Sequence, residues 1–245
     1  MPDDTLSSPM IARIIPLLDL TDLNDHATET GVDVLCRKAM NSPHGGVAAV
    51  CVWPQFVSVA RHILEHSFVR TATVINFPSG QATTDRVMDD IGEALDDGAN
   101  EIDLVFPYLR FLEGEKLHAR EMLENARDIM RNGEILKVIL ETSAFSQERP
   151  LQEAAQLAID CGADFLKTST GKRPIGATLP ATEILLKIIK EAPRDVGLKI
   201  SGGLRTLDDV LPYMTLIDKM MGLDWMTPRS FRIGSSQLYD ALLPS

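Results

Sequence analysis

The stretch Phe165-Leu166-Lys167-Thr168-Ser169-Thr170-Gly171-Lys172 puts a lysine inside a run that otherwise reads as a buried β-strand, then leaves it through hydroxyls, a glycine and a second lysine. A charged, unpaired lysine in a strand interior is costly. A lysine used as a nucleophile has to shed its proton, and burial beside another cation promotes that. Lys167 is therefore the first candidate for chemistry, and the glycine-bearing segment behind it suits an anion held by backbone N–H groups. The run that leads in, Gly162-Ala163-Asp164-Phe165-Leu166-Lys167, echoes Gly98-Ala99-Asn100-Glu101-Ile102-Asp103. Both leave a helix and enter a strand, with Lys167 and Asp103 at the same offset. On equivalent strands the two side chains would share a depth; Gly-Ala is also a common connection, and the echo alone fits chance equally well.

Outward from this strand, short apolar runs alternate with amphipathic segments. Strands are expected at 14–20, 46–53, 71–78, 101–107, 135–141, in the stretch quoted above, and at 197–201 and 231–233. Helices are expected at 25–40, 57–66, from Thr83 or Thr84 to the stop at Gly98, and at 115–131, 151–161, 181–191, 207–216 and 235–243. Strands separated by helices pair in parallel, because each helix is a crossover. Eight such units in 245 residues fit an α/β fold of the (β/α)₈ TIM-barrel type. It is read as a single domain over 1–245 with 1–13 as a lead-in segment. A doubly wound open sheet is the rival, and the lack of a glycine fingerprint after the first strand counts against it.

The net charge of −11 sets the surface against nucleic acid and anionic membranes, so a phosphorylated ligand would need a local positive site. The three cysteines (Cys36, Cys51 and Cys161) have no metal-ligand spacing and suggest no disulfide framework. With no signal peptide or membrane-length apolar run in the sequence, a soluble, cytoplasmic protein is expected.

Polar groups recur inside the expected strands: Asp19, Asn76, Asp103, Lys137, Glu141, Lys167 and Lys199. The outer face of a barrel strand packs on helices, so compensation between three carboxylates and three lysines inside the barrel, near its C-terminal mouth, is the low-cost arrangement. Only about one free lysine in 2,500 is neutral at pH 7. A cation ~4 Å away at an effective dielectric near 20 is worth roughly 4 kcal/mol, or about three pKa units. Lys199 beside Lys167 would on that estimate bring it close to neutral pH. Separately, Gly171-Lys172, Gly202-Gly203 with Arg205, and Gly234-Ser235-Ser236 follow the sixth, seventh and eighth strands. Loops after the last strands of such a barrel commonly hold phosphate, and Ser235-Ser236 is expected to open the last helix, whose N-terminus favours an anion.

Taken together, Asp19-Leu20-Thr21 with Asn24, the run 101–108, the run 137–142, the run 163–171, Lys199 with Gly202-Gly203 and Arg205, and Gly234-Ser235-Ser236 resemble the 2-deoxyribose-5-phosphate aldolase family, from about Ile14 to Leu243. The resemblance implies a metal-free, cofactor-free class I aldolase. Such an enzyme reversibly cleaves 2-deoxy-D-ribose 5-phosphate to D-glyceraldehyde 3-phosphate and acetaldehyde, in deoxyribonucleotide catabolism. By the resemblance Lys167 forms the Schiff base, Lys199 lowers its pKa, and Asp103 acts through water as general acid–base. Asp19, Asn24, Lys137 and Thr170 would bind the sugar. Gly171, Lys172, Gly202, Gly203, Arg205, Gly234, Ser235 and Ser236 would hold the phosphate. Relatives are homo-oligomers, often dimers, and a dimer is the expectation here.

Cys51 falls where some relatives carry an active-site thiol, and a buried bystander is expected. Some relatives also continue into a tail ending in tyrosine, whereas this chain ends Leu243-Pro244-Ser245, with Tyr239 expected to pack on the last helix. Enamine formation is then expected to rely on water and Asp103. Ile200-Ser201 and Ser143 also depart from the common pattern, at positions expected in the pocket wall. Another Schiff-base sugar-phosphate aldolase and a non-catalytic phosphosugar-binding relative remain the alternatives.

Overall fold

In the computed structural model, which describes residues 4–243, eight parallel strands close into a barrel in strict chain order, β1 pairing with both β2 and β8. The order is α1 (Asp4–Ile14), β1 (Leu18–Asp22), α2 (Glu29–Met40), β2 (Ala49–Val52), α3 (Val57–Ile63), β3 (Arg70–Ile75), α4 (Thr84–Asp96) and β4 (Glu101–Val105). It continues with α5 (Tyr108–Leu112), α6 (Lys116–Ile129), β5 (Ile135–Ile139), α7 (Glu148–Asp160), β6 (Phe165–Lys167), α8 (Leu179–Glu191), β7 (Gly197–Ser201), α9 (Leu207–Met221), β8 (Phe231–Ser235) and α10 (Leu238–Leu242). This is the expected TIM barrel.

The sequence explains the punctuation. Thr28, Thr83, Thr178 and Thr206 cap α2, α4, α8 and α9 by accepting from an N–H of the first turn, and Thr206 closes a capping box with Asp209. Gly98 (φ 100°) and Gly162 (φ 91°) take the left-handed conformation just past α4 and α7. A Cβ at either would run into an arginine stem, 2.7 Å from Arg61 Cγ or 2.8 Å from Arg127 Cγ. The repeated Gly-Ala lead-in is thus one local structure used twice.

Several boundaries differ from expectation. Of the lead-in, residues 1–3 lie outside the described residues, as do Pro244 and Ser245, and the rest belongs to α1. Ile14 ends that helix, and Ile15–Leu17 is a 3-10 turn ahead of β1. Pro16, with no N–H to give a ladder, sits in the first positions of the turn, so the apolar run was a helix end and a turn before it was a strand. The third and fifth strands stop at Ile75 and Ile139, because Asn76 (φ 57°) and Glu141 (φ 54°) are left-handed and leave the ladder. Helix α5 was not foreseen. Ser235 ends β8 and does not open a helix; α10 starts three residues later.

Side chains alternate along each strand. Outward residues such as Ile102, Leu104, Leu136, Val138, Leu166, Leu198, Ile200 and Ile233 pack with the helices into the main core. The barrel interior is split. Strands β2 and β3 contribute the small apolar cluster Ala49, Cys51, Ala72 and Val74, while the buried charges come from the other six strands; Arg70, at the start of β3, reaches Glu101 from a partly exposed position. Near the base, the Phe165 ring fills the space over Gly197, where a Cβ would lie 2.3 Å from ring carbon Cε1. Gly197→Ala is therefore expected to lower the unfolding free energy by about 1–3 kcal/mol through overpacking. That exceeds the gain of roughly 0.4–1 kcal/mol that Ala brings by restricting the unfolded chain. Urea denaturation measures the loss, and Gly197→Ala/Phe165→Leu should recover part of it; unchanged or raised stability in the single variant would refute the packing.

Candidate active site

Parallel register brings the interior charges to one level. Lys167 lies opposite Lys199, Asp103 opposite Lys137, and Lys199 opposite Arg232. Asp103 Oδ1 accepts from Lys137 Nζ at 2.7 Å, and Asp103 Oδ2 accepts from both Lys167 Nζ and Lys199 Nζ at 2.7 Å. Lys199 also donates to Asp19 Oδ2, and Arg232 donates to Asp19 Oδ1 at 2.7 Å. Below, Glu101 receives both Arg232 terminal nitrogens at 2.8 and 3.1 Å and Lys137 at 2.6 Å. Arg70 Nε adds an ion contact with Glu101 at 2.8 Å that lacks hydrogen-bond geometry.

Desolvation opposes charge on every member of this network, so the outcome depends on partners. Burial works against ionised Asp103, but Lys137, Lys167 and Lys199 outweigh it and hold its pKa well below the usual carboxylate range. Asp19 and Glu101 are also depressed, since cations overcome burial at both. Lys137 and Lys199 lose charge stability to burial but regain more from the carboxylates, so their pKa values rise. Arg232 follows the same pattern. Lys167 is the exception. Burial lowers its pKa, attraction to Asp103 opposes that, and Lys199 lowers it further, with a net downward shift. Burial, not the neighbouring lysine expected from sequence, is thus the largest cause. The charge count points the same way: Asp19, Glu101 and Asp103 already meet Lys137, Lys199, Arg232 and the partly exposed Arg70, so a proton on Lys167 would add to an excess of positive charge.

Above Lys167, at the C-terminal end of the barrel, lies a cavity of about 250 Å³ lined from the loops after β1, β6, β7 and β8. Of the three interior lysines Lys167 alone lines it, at 3% exposure. All eight residues expected to hold phosphate (Gly171, Lys172, Gly202, Gly203, Arg205, Gly234, Ser235 and Ser236) line the cavity, with Asn24, Thr170 and Ser201. The walls are close-built. Gly176 and Gly202 pack backbone to backbone, and a Cβ on Gly176 would lie 2.3 Å from Gly202 O. Gly234 gives room to the Lys199 stem, its Cβ position being 3.0 Å from Lys199 Cε. Lys172 Nζ donates to Leu23 O at 2.8 Å and sits 5.7 Å over the Trp53 ring, which ties the β6 loop to the β1 loop.

Some expected site residues take other places. Asp19 and Lys137 do not line the cavity; they are fully buried beneath it. Asn76 is not part of the charged interior; it donates to Val105 O at 3.0 Å and accepts from Ala82 N at 2.8 Å, bracing the turn after β3. Glu141 pairs with no lysine and binds Thr170, since its left-handed backbone turns it away from the network. The third carboxylate of the network is instead Glu101, and Arg232 is a fourth cation. Both follow from alternation, two residues from Asp103 on β4 and two from Gly234 on β8. Ile200 faces the outer core and Ser143 lies outside the cavity lining, so of the three departures only Ser201 reaches the wall, donating to Ser169 O at 2.6 Å. Cys51 is buried, and burial raises its thiol pKa. Tyr239 packs on α10, as expected, with its hydroxyl 3.4 Å from Asn41 O.

Comparison with known proteins matches this architecture. Residues 13–215 match the family described as DeoC/LacD family aldolase. This chain belongs to that family. An Agrobacterium fabrum (strain C58) deoxyribose-phosphate aldolase is 40% identical over 234 residues, spanning 95% of this chain and 90% of that protein. A Coccidioides immitis crystal structure superposes with a TM-score of 0.82 at 29% identity, covering 94% of this chain and 85% of that one. The deoxyribose phosphate aldolase of Aeropyrum pernix, described as a unique tetramer, matches with a TM-score of 0.76 at 25% identity, covering 95% and 90%. The chain is thus an aldolase, a carbon–carbon lyase. Among the described residues no helix is long and apolar enough to cross a membrane.

The network has a direct energetic test. Arg232→Met leaves Glu101 and Asp19 short of a cation in a buried interior. Breaking a buried pair from one side costs about 3–5 kcal/mol, and chemical denaturation of the variant should show a loss of that order. A loss below about 1 kcal/mol would mean that Arg232 does not carry this charge.

Proposed function

We propose that this aldolase reversibly cleaves 2-deoxy-D-ribose 5-phosphate to D-glyceraldehyde 3-phosphate and acetaldehyde through a Schiff base on Lys167. The observation that carries the proposal is the position of Lys167. It shares one carboxylate oxygen with Lys199, has a lowered pKa, and faces the cavity. A sugar phosphate is favoured by the three glycine-bearing loops and the two cations, Lys172 and Arg205, that line the cavity.

In the cleavage direction, neutral Lys167 Nζ adds to C1 of the open-chain sugar to give a carbinolamine. Protonation of the C1 hydroxyl expels water and leaves an iminium. The C3 hydroxyl then gives up its proton, the C2–C3 bond breaks, and the electron pair passes into the iminium to form an enamine, as C3 becomes the aldehyde of glyceraldehyde 3-phosphate. Protonation of the enamine at C2, then hydrolysis, releases acetaldehyde and returns the amine. Lys199, whose pKa is raised, suits the part of a charged proton donor. Asp103, whose pKa the surrounding cations, Lys137 first among them, hold well below the usual carboxylate range, suits accepting protons through water or through Lys199 better than donating them. Asp19 and Lys137, beneath the cavity, hold Lys199 and Asp103 in place and act on the sugar only through them. We further propose that the protein works as a homo-oligomer, most simply a dimer, in the cytoplasm, in deoxyribonucleotide breakdown, without metal or cofactor.

Borohydride reduction in the presence of acetaldehyde should leave a two-carbon adduct on the peptide carrying Lys167 and none in Lys167→Met, which should have lost at least about 10³-fold in kcat. An adduct on Lys199 or on a surface lysine, with Lys167 unmodified, would overturn the assignment.

A further inference from the structure

Glu141 is fully buried, left-handed at φ 54° and ψ 60°, and has no cation within ion-pair distance among the described residues. A non-glycine residue in this conformation costs on the order of 1–3 kcal/mol and persists where the surroundings demand it. Its Oε2 accepts from Thr170 N at 3.2 Å and from Thr170 Oγ1 at 2.5 Å, and Ser143 Oγ lies 3.4 Å from Oε1. Because Oε2 takes the Thr170 N–H, it presents lone pairs toward Thr170, and the hydroxyl proton of Thr170 has to point at it. Thr170 Oγ1 in turn accepts from Lys172 N at 3.1 Å.

A hydroxyl has one proton and two acceptor sites. In Thr170 the proton is committed to Glu141 and one acceptor site to the Lys172 N–H. What remains toward the cavity, which Thr170 lines, is a single lone pair. We propose that Glu141 is a positioning residue that fixes Thr170 as a hydrogen-bond acceptor, so that the site selects substrates bearing a hydroxyl donor between the reacting carbon and the phosphate. On the reading given above, which this inference deepens, the partner is the hydroxyl next to the aldehyde of the three-carbon phosphate, the C4 hydroxyl of the five-carbon sugar. A site built to pair with a hydroxyl rejects the analogue that lacks it, because its own polar group is then left unpaired. Glu141 touches no substrate; it acts through Thr170.

The test compares D-glyceraldehyde 3-phosphate with 3-oxopropyl phosphate, which lacks that hydroxyl, as acceptors for acetaldehyde. Selectivity is the ratio of their kcat/KM values. In Glu141→Ala the acceptor for the Thr170 hydroxyl is gone and that hydroxyl is free to turn, so selectivity should fall about tenfold or more, mainly through KM for glyceraldehyde 3-phosphate. The rate with 3-oxopropyl phosphate should stay within about threefold. Glu141→Gln, whose amide oxygen can still take the Thr170 N–H and hydroxyl, should retain selectivity. Thr170→Val should show the same fall as Glu141→Ala, Thr170→Ser should retain selectivity, and adding Glu141→Ala to Thr170→Val should change selectivity less than twofold. If Glu141→Ala does not fold, Glu141→Asp withdraws the carboxylate and serves in its place. Unchanged selectivity or equal losses with both acceptors in Glu141→Ala, or a further fall in the double variant, would overturn the role. If the wild-type protein condenses neither acceptor but still forms a borohydride-trapped adduct on Lys167, the hydroxyl reading fails while the Schiff base stands. If no adduct forms, the aldolase assignment itself fails.

Discussion

One carboxylate oxygen, Asp103 Oδ2, receives two lysines at 2.7 Å each. The rest of the interior follows from that constraint. Two ammonium groups on one oxygen repel each other, and in a low-dielectric interior that repulsion is large. The arrangement is stable when one of the two is neutral. Lys199 has a second carboxylate, Asp19, to hold its proton, whereas among the described residues Lys167 pairs with Asp103 alone. The asymmetry lowers the pKa of Lys167 and raises that of Lys199, which favours Lys167 as the amine and Lys199 as the ammonium. Asp19, Lys137, Glu101 and Arg232 extend the same logic downward, each anion meeting cations until the charges close.

Burying so many charges is not a route to stability, since apolar packing of equal volume usually does as well or better. Here the outward strand faces and the helices supply the apolar core, and the interior is left for chemistry. Small residues on β2 and β3 keep one side of the interior apolar, and Gly197 and Gly234 keep space for the Phe165 ring and the Lys199 stem. The cavity is shaped by absent side chains as much as by present ones.

Much of this was legible in the sequence because it depends on local pattern. Apolar runs punctuated by threonine caps and glycine stops specify eight units, and lysines inside apolar runs mark the site. The misreadings of Glu141 and Asn76 have another cause: they depend on where a strand stops. Glu141 and Asn76 look like strand residues, but a left-handed backbone takes each out of the ladder and toward a neighbouring loop. Glu101 and Arg232 lie in strands that were recognised, and two-residue alternation from Asp103 and Gly234 would have placed them inward. Pro16 signalled that the first apolar run could not be all strand. That burial outweighs Lys199 in lowering the Lys167 pKa could not be read without knowing depth.

The central claim is that Lys167 is the neutral amine of the pair, and its titration tests that most directly. Competitive trace labelling of the intact protein with an amine-selective acylating reagent across pH 6–11, read by mass spectrometry at each lysine peptide, reports the neutral fraction of Lys167 itself. A midpoint clearly below the ordinary lysine value of about 10.4, with Lys199 unlabelled to higher pH, is the expected result. A midpoint at or above that value for Lys167, or a lower midpoint for Lys199, would contradict the account.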